Sequence, residues 1–148
     1  MNKLVIGIVV SGVVWGHAAC GDDPPPPGGE QTGQSCANAS QCFPNVADGG
    51  LRGGDAVCLT RVTGGYCTHI CTTDADCCAV PGECRTGYPQ VCSPFESTNE
   101  HYCFLSCEDV PGDAGVSDTD GYCRTYAHAG FGCRSSGGGS QNRKVCVP

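Results

Sequence analysis

Gly65-Tyr66-Cys67-Thr68-His69-Ile70-Cys71-Thr72-Thr73-Asp74-Ala75-Asp76-Cys77-Cys78 places four cysteines and two aspartates in fourteen residues near the middle of the chain. A related pattern returns at Tyr102-Cys103-Phe104-Leu105-Ser106-Cys107. The fold depends on whether such a cluster binds metal, performs chemistry or forms disulfides. The rest of the sequence favours disulfides.

Fifteen of the 148 residues are cysteine, a density typical of a disulfide scaffold in an exported chain. A reducing compartment would keep these thiols free, so an oxidising one is implied. From Glu30 onward only 22 of 119 residues are large and apolar, too few to bury a conventional core. Covalent bridges must supply what packing does not, at about 2–4 kcal/mol each. High Gly (23) and Pro (10) favour turns over long elements. The formal charge of −7 argues against nucleic acid or an anionic membrane surface as partner.

Met1-Asn2-Lys3 is a short basic start, and Leu4 to Trp15 is a twelve-residue apolar run. That run is too short to span a bilayer, which takes about 20 residues. With Gly16, Ala18 and Ala19 behind it, residues 1–19 read as a secretory signal peptide. Cys20 follows directly. The junction resembles a bacterial lipobox, whose cysteine receives a diacylglycerol and becomes the new N-terminus. It departs from that motif at His17, where an aliphatic residue is usual. Cleavage after Ala18 without lipid is the rival reading. Residues 20–35 form a tether, in which Pro24 to Pro27 favour extended polyproline II. Setting Cys20 aside leaves fourteen cysteines, an even number, as a fully paired framework requires.

The expected disulfide cysteines are Cys36, Cys42, Cys58, Cys67, Cys71, Cys77, Cys78, Cys84, Cys92, Cys103, Cys107, Cys123, Cys133 and Cys146. Spacing leaves their connectivity open. Cys77 and Cys78 are expected to diverge, because a bridge between neighbours strains the intervening peptide. Cys146 is expected to tie the glycine-rich tail back to the second half. Ala56 to Val62 and Tyr66 to Cys71, joined across Thr63-Gly64-Gly65, read as a β-hairpin. Thr72-Thr73-Asp74 reads as the cap of a short helical turn over Asp74–Cys78. Gly82-Glu83-Cys84-Arg85-Thr86 recurs as Gly121-Tyr122-Cys123-Arg124-Thr125. The fold class is therefore small and disulfide-rich, with short hairpins, loops and little helix. Two related subdomains are expected at 36–91 and 92–148.

Other chemistries find less support. Cys67/Cys71 and Cys103/Cys107 have a loose zinc-like C-x3-C spacing, but an exported chain oxidises such pairs. Asp118-Thr119-Asp120-Gly121 matches the middle of a calcium loop. Val116 and Ala127 occupy the end positions where an EF-hand needs acids, so Asp118 and Asp120 are weak calcium candidates only. No G-x-S-x-G or H-E-x-x-H motif occurs, and His69, His101 and His128 have no evident catalytic partner. No catalytic residue, resident metal or cofactor is expected. Tyr88, Phe95, Tyr102, Phe104, Tyr122, Tyr126 and Phe131 serve either to cover disulfides or to form a contact patch.

Cys71-Thr-Thr-Asp-Ala-Asp-Cys77, followed by Gly82-Glu83-Cys84, is similar to the C-x2-D-x-D-C…G-x-C pattern of Dickkopf-type N-terminal modules and whey-acidic-protein domains. With the lipobox-like start and the proline tether, the chain resembles cysteine-rich envelope lipoproteins of myxobacterial type. The resemblance implies a lipid anchor at Cys20, a location at the outer membrane or cell surface, and a binding or structural role toward a protein or glycan. The alternative is a secreted chain without lipid, acting as a protease-inhibitor-like or calcium-dependent recognition protein.

Overall fold

The computed structural model describes residues 31–47, 50–96, 99–110 and 114–148. The expected signal peptide, Cys20 and residues 21–30 of the expected tether lie outside these residues. Residues 31–35, expected to belong to the tether, instead pack into the fold: Gln31 and Thr32 are buried, and Gly33 N donates to Cys67 O at 2.8 Å. Among the described residues six strands form three antiparallel hairpins. β1 (Ala56–Cys58) pairs with β2 (Cys67–His69), β3 (Gln90–Pro94) with β4 (His101–Leu105), and β5 (Gly132–Ser135) with β6 (Lys144–Val147). One α-helix, α1 (Thr119–Tyr126), stands before β5, and single 3-10 turns lie at Ala39–Gln41, Asp74–Asp76 and Gly139–Gln141. The chain is a small disulfide-rich fold of hairpins and loops. No helix among the described residues is long and apolar enough to cross a membrane.

The bridges reveal the plan. Cys36–Cys58 and Cys42–Cys67 close the first unit. Cys71–Cys92 and Cys77–Cys103 close the second in the same order, and Cys107–Cys133 with Cys123–Cys146 close the third. In each unit two leading cysteines bond, first to first and second to second, with the two cysteines of the following hairpin. The leading cysteines Cys36, Cys71 and Cys107 recur at intervals of 35 and 36 residues. Only Cys78–Cys84 stands outside this scheme.

The expected boundary at 91/92 falls inside β3 and inside the loop closed by Cys71–Cys92. Three units, 36–67, 71–103 and 107–146, therefore replace the expected two. The C-x3-C pairs mark the joints between units: Cys67 ends one and Cys71 opens the next. Gly82–Thr86 and Gly121–Thr125, read as a repeat, occupy different places. The first is in a loop after Cys77 and the second is inside α1.

Backbone bonds repeat with the bridges. Ile70 forms an isolated bridge with Tyr102, and Ser106 with Val145. The Ile70 N–H donates to Asp55 O at 3.2 Å and that of Ser106 to Pro89 O at 3.0 Å, each acceptor lying one residue before the unit's first strand. The Cys71 N–H donates to His101 O and that of Cys107 to Lys144 O. Each unit thus rests its joint on the next hairpin, as neighbouring repeats do in a stacked array.

Local chemistry explains the elements. The β1–β2 connection turns at Gly64 and Gly65, both left-handed (φ 83° and 75°). A Cβ on Gly65 would lie 1.9 Å from Cys36 O, so only glycine fits. The turn at Asp74–Asp76 has a full capping box, with Asp76 accepting from Thr72 N and Thr73 N at 2.8 Å each. α1 begins where Asp118 caps Gly121 N at 2.6 Å. It buries Tyr122 and Cys123 and is stapled to β6 through Cys123–Cys146.

The main core draws on all three units. Val62 and Tyr66 come from the first, Val91, Tyr102, Phe104 and Leu105 from the second, and Tyr122, Phe131 and Val145 from the third. Tyr66 stacks on Phe131 at 5.5 Å and lies 5.4 Å from Phe104. Its hydroxyl donates to Cys146 O at 3.2 Å. The aromatic residues are therefore core. Tyr102, Phe104, Tyr122 and Phe131 are buried, while Tyr88, Phe95 and Tyr126 pack against them. Buried aromatics hide about 150–250 Å² each, which offsets the shortage of aliphatic side chains.

Candidate functional site: an open loop and a stapled one

In the first two units the residue after the second leading cysteine takes a left-handed conformation, Phe43 at φ 53° and Cys78 at φ 61°. Neither is glycine, so each corner costs about 1–2 kcal/mol and is held by its surroundings. From this shared corner the two loops diverge.

In the second unit Cys78 bonds Cys84, a separation of only 6 residues. The small ring turns Glu83 inward, where it is fully buried. Its partner is His69 on β2, also fully buried. His69 Nε2 lies 2.9 Å from Glu83 Oε1, and Nδ1 lies 2.9 Å from Ile70 O. A carbonyl only accepts, so Nδ1 must donate. One proton then lies between Nε2 and Oε1. Glu83 Oε1 also accepts the N–H of Cys78, and Oε2 that of Val80 at 3.2 Å. Burial pushes the Glu83 carboxyl up, but the His69 hydrogen bond and the two backbone N–H groups outweigh it and hold the carboxyl below its ordinary range. Phe43 presses edge-on against His69 at 5.6 Å.

In the first unit no bridge closes the loop. It leaves a groove of about 500 Å³ lined by Phe43, Pro44, Val46, Leu51, Asp55 and Ala56, among others. The loop returns at Gly53 and Gly54 against Ile70 and Cys71. Cβ atoms there would meet Cys71 Cα at 2.8 Å and Ile70 Cβ at 2.7 Å. Phe43 is 4% exposed and joins the groove to the His69–Glu83 pair behind it.

The other expected site residues have structural tasks. All fourteen cysteines from Cys36 to Cys146 are bonded in seven pairs, and Cys77 and Cys78 diverge to Cys103 and Cys84. Sulfurs gather near His69 and near Glu83. Each is already spent in a bridge, and the zinc-like spacing has no thiolate to offer. Asp120 Oδ1 accepts Cys133 N at 2.7 Å, as Asp74 Oδ1 accepts Cys92 N at 2.8 Å in the second unit. The two weak calcium candidates are thus a helix cap, Asp118, and a repeated hairpin clasp, Asp120. His101 Nε2 lies 3.3 Å from Gln141 Oε1, and His128 Nδ1 accepts Gly130 N at 3.1 Å. The three histidines are not brought together, and among the described residues no serine hydroxyl bonds to any of them.

A second charged assembly ties the units together. The Arg143 Nε and Nη2 donate to Glu108 at 2.8 Å each, and Nη1 lies 3.1 Å from Asp74 Oδ2. The Arg143 hydrogen bonds hold the Glu108 carboxyl below its ordinary range against a smaller opposing effect of burial, and the Lys144 N–H adds to them.

Sequence reasoning missed the His69–Glu83 pair. The two residues lie 14 apart, and only the Cys78–Cys84 ring, whose pairing spacing did not reveal, brings them together. No protein-family model, curated protein or solved structure matches this chain at a significant level.

Proposed function

We propose that the chain is an exported, lipid-anchored binding module of the cell envelope, acylated at Cys20, with its disulfide-rich part held off the membrane by the proline tether. The observation that carries this reading is the pairing of cysteines. The fourteen from Cys36 to Cys146 satisfy one another completely, so the framework has no need of a fifteenth. That leaves Cys20 free for separate chemistry beside its lipobox-like neighbours.

Binding is favoured over catalysis by the distribution of reactive groups. His69 with its carboxylate partner is sealed from solvent, and every described thiol is oxidised. The open groove on the first unit is a surface suited to a ligand, whether presented by a protein, a glycan or a small molecule. The test is membrane partitioning. The parent should sediment with membranes and enter the detergent phase, and Cys20→Ala should leave it soluble. A variant that partitions as the parent does would overturn the anchor. A parent already soluble would favour the secreted reading.

A further inference from the structure

The open loop of the first unit has room for a guest that its counterpart in the second unit lacks. Its volume of about 500 Å³ falls in the range of small-molecule sites, about 300–1,000 Å³. Phe43, Pro44, Val46, Leu51 and Ala56 bring apolar side chains to a lining whose exposed surface is otherwise largely polar. Among the described lining residues one side chain is charged, Asp55. Its carbonyl oxygen receives Ile70 N, but among the described residues no donor reaches its carboxylate. Arg52 is exposed and is not among the described residues that line the groove. Ser40 is engaged too, its hydroxyl donating to Asn38 at 2.6 Å.

We infer that the groove binds a small organic cation with an apolar body, an alkyl or aryl ammonium or guanidinium ion. The apolar part lies against Val46, Leu51 and Pro44, and the cationic head pairs with Asp55. A neutral guest would forgo the charge that Asp55 offers. An anionic guest would face that charge with no basic group in the lining, on a chain of net charge −7. This assignment rests on reading the chain as a binding module and is independent of its lipid anchor. The contrast within the molecule supports it. The loop of the second unit turns its carboxylate, Glu83, onto the buried imidazole of His69 on β2, whereas the loop of the first leaves the Asp55 carboxylate exposed.

The experiment is a titration of the oxidised mature chain followed by two-dimensional NMR. The probes are 4-phenylbutylammonium, 4-phenylbutanol and 4-phenylbutyrate. The ammonium ion should shift the resonances of Val46, Leu51 and Ala56. It should bind about fivefold more tightly than the alcohol, the upper end expected of a partly exposed ion pair, and the carboxylate should bind least. Asp55→Asn should abolish the preference for the ammonium ion over the alcohol. Asp109→Asn, at an exposed acid outside the groove, should retain it.

Equal binding of amine and alcohol, shifts confined to other residues, or a preference surviving in Asp55→Asn would overturn the proposal. A lysine-bearing hexapeptide that displaces the amine at lower concentration than the amine itself would overturn the assignment to a small molecule. Should the amine fail to bind while Cys20→Ala still releases the chain from membranes, the groove assignment falls and the anchored reading stands.

Discussion

The loops of the first and second units begin alike, at a left-handed residue after a bridged cysteine, and end alike, one residue before a strand. Their interiors differ. The loop after Cys77 carries its own bridge and turns a carboxylate onto a buried imidazole. The loop after Cys42 has Phe43 where the other has Cys78, carries no further cysteine before Cys58, and keeps its carboxylate, Asp55, outside. The same place in the repeated bridge pattern is thus closed by a bridge in one unit and left open in the other.

The sharpest way to break this comparison is Glu83→Ala. It leaves His69 buried without its partner, and removing one member of a buried pair costs about 3–5 kcal/mol. Equilibrium unfolding in denaturant should show this loss. An effect no larger than that of an exposed substitution would mean that the second loop is not the locked one. Next is the double variant Cys78→Ser with Cys84→Ser. A ring this short restricts the unfolded chain least among the seven, so the expected cost is about 2 kcal/mol, with the six other bridges still forming. Mass mapping of the bridges together with the melt checks both parts.

Acid should come third. Glu83 and Glu108 have carboxyl groups held below their ordinary range in the folded chain. Unfolded, they take up protons near about pH 4.3. Their contribution to stability is therefore complete above that value and drains away as pH falls through it and below. Thermal melts between pH 7 and pH 2.5 should show the decline, and Glu83→Gln should make it shallower. A variant as acid-sensitive as the parent would exclude Glu83 as a cause. The smallest effect belongs to the open loop. Asp55→Asn should change stability by no more than about 0.5 kcal/mol, since its carboxylate holds nothing in the fold. A larger loss would show that the groove is structural.

Much of the architecture was legible because it depends on local chemistry. Gly64-Gly65 between strand-forming runs announces the first hairpin. Thr73 and Asp76 announce the capped turn, and the strain between neighbouring cysteines sends Cys77 and Cys78 apart. The third unit was hidden by an insertion. Its leading cysteines are Cys107 and Cys123, whereas Cys36/Cys42 and Cys71/Cys77 are closely spaced, so the period is visible only once the bridges are known. α1 was missed because Asp118-Thr119-Asp120-Gly121 suggests a metal loop as readily as a helix cap, and Gly121 weakens the helical pattern. Of the candidate site, Asp55 gave no signal, since an acid before a strand is commonplace. Its significance comes from the groove around it.

The register of the hairpins bears on how the chain matures. Cys58 faces Cys67, Cys92 faces Cys103 and Cys133 faces Cys146 across the strands, yet none of these pairs is bonded. Residues so opposed sit about 4.5–5.5 Å apart at Cα, within the span a disulfide accepts. A hairpin that forms early would therefore hold two thiols closer to each other than to their native partners, which lie 21 to 26 residues away in sequence. Were such a hairpin to form before its native bridges, a cross-strand bridge would compete with them. Replacing such a bridge by the native pair would require thiol–disulfide exchange rather than oxidant alone.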